Sequence, residues 1–123
     1  MGIKTVAVIG AGTMGAGIAQ VCAQAGWHTN LYDAFPEGLE RGMNTIDAFW
    51  DKGIARGKTT REQKTEWATN LHAVSEMEDA VKNADLVIEA VPEIPDLKHK
   101  IFTQLGKMTK EECILGTNTS SLS

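Results

Sequence analysis

The run Gly10-Ala11-Gly12-Thr13-Met14-Gly15 constrains this chain more than any other feature. It is a G-x-G-x-x-G turn, and such a turn is informative only in the right context. Thr5-Val6-Ala7-Val8-Ile9 precedes it, a short apolar run of the kind buried on both faces of a parallel sheet. Ile18, Val21, Cys22 and Ala25 follow at helical spacing, and Gly26 stands where helices end. Strand, glycine turn and helix in that order gather exposed backbone N–H groups and a helix dipole at one point, which favours an anion. The first glycine permits the tight turn, the second lets backbone approach a pyrophosphate, and the third lets helix and strand pack closely.

The rest of the chain continues the alternation. His28-Thr29-Asn30-Leu31-Tyr32 reads as a second strand ending at Asp33. Leu39, Met43, Ile46, Trp50 and Ile54 then recur at steps of three and four, with Pro36 suited to the first turn and Gly57 to the end. Thr60 to Gln63 and Ser75 to Glu78 both match the capping-box pattern. The first predicts a short helix carrying Trp67, the second a helix over Met77 to Asn83. Asn70 to Val74 reads as a third strand, Asp85 to Val91 as a fourth stopped by Pro92, and Cys113 to Thr117 as a fifth. Leu97, Ile101, Phe102, Leu105 and Met108 mark the helix between the last two.

Strands alternating with helices predict an α/β fold: a Rossmann-type, doubly wound, mostly parallel sheet with helices on both faces. The segment from Pro36 to Ala68 exceeds a minimal crossover, so a helical insertion after the second strand is expected, projecting as a hairpin. Residues 1–123 form one domain by length. Such a fold usually has a sixth strand. The chain reads as truncated, or as part of a longer protein.

Composition narrows the function. Sixteen acidic against twelve basic residues leave a net charge of −4, which disfavours nucleic-acid partners. No apolar run approaches the roughly 18 residues of a membrane span, and no signal peptide opens the chain. Cys22 and Cys113 form no CxxC pair and read as reduced, buried thiols of a cytoplasmic protein. His28, His72 and His99 show no metal-ligand spacing, so no metal is expected.

Asp33 follows Gly15 by 18 positions, and a carboxylate there accepts hydrogen bonds from an adenosine ribose diol. It would repel a 2′-phosphate, and neither Ala34 nor Phe35 supplies a cation to hold one. NAD is therefore expected over NADP, with Gly10, Ala11, Gly12, Thr13, Met14, Gly15 and Asp33 as its contacts. Glu93 and Lys98 follow the fourth strand, at the strand end where ligands sit in open sheets. Taken bare, they read first as a solvated charge pair. Asn118-Thr119-Ser120-Ser121-Leu122, after the fifth strand, reads bare as a hydroxyl-rich turn.

Three motifs together resemble the N-terminal domain of the L-3-hydroxyacyl-CoA dehydrogenases: Val8 to Ala19 around the glycine turn, Ala84 to Glu93 with Lys98, and Thr117 to Leu122. The likeness covers the whole chain and is weakest from Phe35 to Trp67. The Asn-Thr-Ser-Ser-Leu run is its most specific part.

The resemblance implies NAD-dependent oxidation of the 3-hydroxyl of an acyl-CoA. Met14 and Asp33 would touch NAD, while Val91, Glu93 and Lys98 would line its nicotinamide-ribose side. Ser120 would hydrogen-bond the substrate's 3-oxygen, and Asn118 would shape that loop. Lys52, Arg56 and Lys58 would lie towards the CoA phosphates, or be ordinary solvated charges. The family's general base is a histidine in a His-Phe-Phe-Asn-Pro segment, which this sequence does not contain, so these 123 residues are expected to bind NAD with little turnover. A helical C-terminal domain carrying the dimer contact is implied for the parent enzyme. Two alternatives stay open: a hydroxyacid or sugar-acid dehydrogenase that does not use CoA, and a non-catalytic NAD-binding sensor or subunit.

Overall fold

A computed structural model describes residues 3–91, 95–111 and 113–117. Strand β1 (Thr5–Ile9) is followed by α1 (Thr13–Gln24), β2 (His28–Tyr32), α2 (Pro36–Ala55) and α3 (Arg61–Thr69). Then come β3 (Leu71–Val74), α4 (Met77–Val81), β4 (Leu86–Glu89), α5 (Pro95–Met108) and β5 (Ile114–Thr117). The strands form one sheet in the order β3-β2-β1-β4-β5, with every neighbouring pair parallel.

Residues of β1 alternate between the two faces of the sheet, which is why both faces carry helices. Val6 and Val8 belong to a core with Ala16, Ala19 and Cys22 of α1 and Ile46 and Trp50 of α2. Ala7 and Ile9 belong to the opposite core, with Ala80 and Val81 of α4 and Ile101 and Leu105 of α5. The doubly wound expectation is met. From β1 the chain winds out to β2 and β3 on one side, and later to β4 and β5 on the other. The glycine turn therefore leaves the sheet at its topological switch point, where open α/β sheets bind ligands.

The hairpin of α2 and α3 lies on the sheet instead of projecting from it. Ile46 and Trp50 are buried in the first core, and the Trp50 and Trp67 rings meet with centroids 5.7 Å apart. The apolar stripe on α2 demands this cover. The Thr60 capping box is present, with Gln63 N–H donating to Thr60 Oγ1 at 3.0 Å and Thr60 N–H to Gln63 Oε1 at 2.9 Å.

The Ser75 box is not formed. Glu76 stands at the N-cap of α4 without a side-chain hydrogen bond to it, and the helix ends at Val81, two residues before Asn83. Its position is held from outside: the buried Asn30 amide donates to the Ala80 carbonyl at 3.1 Å, and Asp85 N–H donates to Thr5 O at 2.8 Å, drawing the chain into β4. Cys22 is buried as expected, and burial pushes its thiol pKa up, but Cys113 is only half-buried.

Candidate functional site

The glycine turn has little spare space inside and open space outside. Gly10 has φ +110°, a conformation other residues rarely adopt, and its N–H donates to Tyr32 O at 2.8 Å. A Cβ on Gly10 would stand 2.8 Å from Ala90 O, and one on Gly15 would stand 1.7 Å from Gly10 O. Gly12 has nothing within 4 Å of a built Cβ. That opening lies at the N-terminus of α1, where no side chain caps the helix and the first turn holds no acidic residue. Thr13 and Met14 are exposed in that turn. Uncapped N–H groups beside an open glycine fit a pyrophosphate.

Asp33 is half-buried just past β2. Its Oδ2 accepts the Ala11 N–H at 2.8 Å, and its Oδ1 accepts the Phe35 N–H at 2.9 Å. An ionised carboxylate offers about four acceptor sites, so two remain for a ribose diol. Asp33 thus ties the glycine turn to the start of α2. Tyr32, beside it, has its pKa raised by burial first and then by the charges of Glu76 and Asp33, which keeps the phenol neutral.

Sequence reasoning missed the residues that press on this pair. Gly38 and Gly42, one turn apart on α2, are both buried. A Cβ on Gly38 would stand 3.0 Å from Asp33 Oδ1, and one on Gly42 would stand 2.7 Å from Ala11 O. The available signal was a pair of glycines four apart inside an amphipathic helix, where each costs about 1 kcal/mol against alanine.

The second strand end of the site is β4. Register pairs Ile9 with Glu89, and Glu89 with Thr117, so glycine turn, β4 end and β5 end share one edge of the sheet. Glu89 is fully buried there, and its Oε2 accepts the Val91 N–H at 2.6 Å. It shapes the chain at Val91, a half-buried residue packed against the second core. Lys98 belongs to α5. Its side chain, together with Glu93, Asn118 and Ser120, lies outside the described residues.

Lys52, Arg56 and Lys58 are exposed at and beyond the far end of α2. A groove lined by Asp51, Ile54, Arg61 and Lys64 lies there between α2 and α3. It begins about two and a half helical turns past Gly42, away from the glycine turn. Its lysine is engaged by Asp47 at 2.8 Å and Asp51 at 2.7 Å, and those hydrogen bonds raise the Lys64 pKa, Asp47 first. Among the described residues no group of three His, Cys, Asp or Glu is placed to hold a metal ion, and no helix is long and apolar enough to cross a membrane.

Residues 5–123 match the sequence profile described as "3-hydroxyacyl-CoA dehydrogenase, NAD binding domain". The chain belongs to this family. It is 43% identical over 121 residues to 3-hydroxyadipyl-CoA dehydrogenase of Escherichia coli, an alignment covering 98% of this chain and 25% of that protein. It is 41% identical to a probable 3-hydroxybutyryl-CoA dehydrogenase of Deinococcus radiodurans, covering 94% and 41%. The crystal structure of (S)-3-hydroxybutyryl-CoA dehydrogenase from Ralstonia eutropha superposes with a TM-score of 0.93 at 37% identity, covering 99% of this chain and 43% of that one. The chain therefore spans well under half the length of these relatives. Within the 3-hydroxyacyl-CoA dehydrogenase family it is the NAD-binding domain, and NAD is the cofactor the glycine turn and Asp33 fit.

Proposed function

We propose that this domain serves the NAD-dependent oxidation of the 3-hydroxyl of an L-3-hydroxyacyl-CoA to the 3-ketoacyl-CoA, within fatty-acyl metabolism in the cytoplasm. The observation that carries the reading is the shared edge. The pyrophosphate turn after β1 and the Asp33 carboxylate stand on the edge where β5 leaves the sheet at Thr117, one residue before Asn118-Thr119-Ser120-Ser121-Leu122. The relatives' names support the substrate class, since they act on 3-hydroxyadipyl-CoA and 3-hydroxybutyryl-CoA.

Bound NAD supplies the hydride acceptor. The chain's own residues bind and orient. The α1 N-terminus and Gly10 to Gly15 hold the pyrophosphate, and Asp33 accepts the ribose hydroxyls. Val91, Glu93 and Lys98 line the nicotinamide-ribose side. Ser120 donates a hydrogen bond to the substrate's 3-oxygen, and Asn118 shapes its loop. The hydroxyl proton needs a base. His28 opens β2 beside the start of β1, and His72 pairs with Asn30 in mid-strand, both away from the strand ends where the glycine turn lies, so neither serves. The 123 residues are expected to bind NAD and to turn over little by themselves.

Calorimetric titration with NADH, with NADPH as control, tests the coenzyme half. Saturable binding that favours NADH and is strongly weakened in Asp33→Ala supports the reading, and a folded sample that binds neither would sink it. Turnover of L-3-hydroxyacyl-CoA thioesters against free hydroxyacids, by the enzyme carrying this domain, tests the substrate.

A further inference from the structure

Gly38 touches the coenzyme-reading carboxylate without being part of the glycine motif or of β2. The Asp33 carboxylate is enclosed on three sides. Ala11 N–H of the glycine turn holds Oδ2 at 2.8 Å, and Phe35 N–H holds Oδ1 at 2.9 Å. On the third side, the bare Cα of buried Gly38 faces it so closely that a Cβ would stand 3.0 Å from Oδ1, 3.2 Å from Cγ and 3.4 Å from Oδ2. Helix α2 starts from the same place, since Phe35 O accepts the Leu39 N–H at 3.0 Å. One turn on, Gly42 brings α2 against Ala11, the residue that holds Oδ2. Interior glycines weaken a helix, and two of the three in α2 stand where it meets the Ala11–Asp33 pair, the third, Gly53, facing Thr59.

We propose that Gly38 is a positioning residue for the dinucleotide. Its missing side chain lets α2 clamp the Asp33 carboxylate in the one orientation that leaves two acceptor sites for a ribose diol. The proposal rests on NAD as the ligand. Binding to a group already fixed in the bound geometry avoids the cost of ordering it. A methyl group at position 38 must displace the carboxylate by a few tenths of an ångström, since the three atoms nearest to it all belong to Asp33.

The test is a double-mutant cycle on the protein, read by NADH titration and by thermal melting. Gly38→Ala is expected to weaken NADH binding about tenfold, the scale of a misplaced contact group. Gly106→Ala, on α5 with open space around it, is expected to leave NADH affinity unchanged and to raise the melting temperature slightly, as alanine for an interior helical glycine does. In the Asp33→Ala background the further effect of Gly38→Ala on NADH should fall below about twofold, because coupled sites are not additive. Unchanged NADH affinity in Gly38→Ala, or an equal loss in both backgrounds, overturns the proposal. If Gly38→Ala fails to fold, the Asp33→Ala/Gly38→Ala protein should melt at or slightly above Asp33→Ala, because alanine favours the helix once the carboxylate is gone, and a double variant as unstable as the Gly38→Ala single one overturns it. If the parent protein binds no NADH, the coenzyme reading fails, and the melting arm still decides whether Gly38 acts through Asp33.

Discussion

At the scale of single residues, two glycines of one motif do opposite jobs. A Cβ on Gly15 would overlap Gly10 O at 1.7 Å, so no side chain fits without opening the turn. Gly12 has φ −70°, which any residue adopts, and open space around it. Gly15→Ala should therefore lower the melting temperature sharply and abolish NADH binding with it. Gly12→Ala should melt as the parent does yet lose at least tenfold in NADH affinity, because its methyl occupies space a pyrophosphate needs. Calorimetry of both variants separates the roles. Val91 and Glu89 show a related division: the resemblance puts Val91 beside the cofactor, and the buried Glu89 carboxylate holds the Val91 N–H.

At the scale of elements, the hairpin of α2 and α3 is the part least like a minimal crossover, and it is held by contacts of unequal weight. Trp50 is 3% exposed, meets Trp67, and donates from Nε1 to Gln24 Oε1 at 2.9 Å. Trp50→Ala should cost about 3–5 kcal/mol by cavity formation. Thr60→Ala removes only an exposed cap, and should cost about 1 kcal/mol. Chemical denaturation of the two variants checks the ranking. Near-equal losses would mean that the hairpin is not anchored through Trp50. The same comparison explains why one capping box was legible and the other misleading. Thr60 opens a helix whose ends are set locally. Ser75 precedes a five-residue helix positioned by Asn30 and by the entry into β4, so long-range contacts outweighed the local pattern.

At the scale of the whole molecule, the sheet edge opposite the coenzyme carries two pH-sensitive features. The His28 and His72 rings stack with centroids 4.3 Å apart, and His72 Nε2 is buried without a hydrogen-bond partner. Burial, and then the neighbouring His28, lowers the His72 pKa from 6.5. The unfolded chain then binds a proton that the folded one refuses. Stability is therefore full above pH 6.5 and falls as pH drops from there to the folded value. Melting temperature should fall between pH 7 and about 5, and His72→Leu should flatten that slope.

Asp85 works at lower pH. Its carboxylate accepts from Lys110 Nζ at 2.5 Å and from the Lys4 and Thr5 N–H groups at 2.9 Å each, tying the starts of β1 and β4 to the chain before β5. Those bonds, Lys110 first, hold its pKa well below the ordinary 3.8, so its contribution is present above 3.8 and lost as pH falls below that. Asp85→Asn should melt below the parent at neutral pH, and the two melting curves should converge in strong acid.

The sequence by itself determined the order of strands and helices, the parallel sheet, the glycine turn and the acid at the end of β2. Each of these is a local pattern: an apolar run, a helical period, or a glycine that a tight turn requires. The tertiary structure decided that the hairpin lies down on the sheet, that α4 starts after Glu76 with no side-chain cap, and that Gly38 and Gly42 bring α2 against Asp33 and Ala11. These depend on which surfaces meet after the chain has crossed the sheet, and the close approaches of Gly38 to Asp33 and of Gly42 to Ala11 have no signature in the spacing of any one segment.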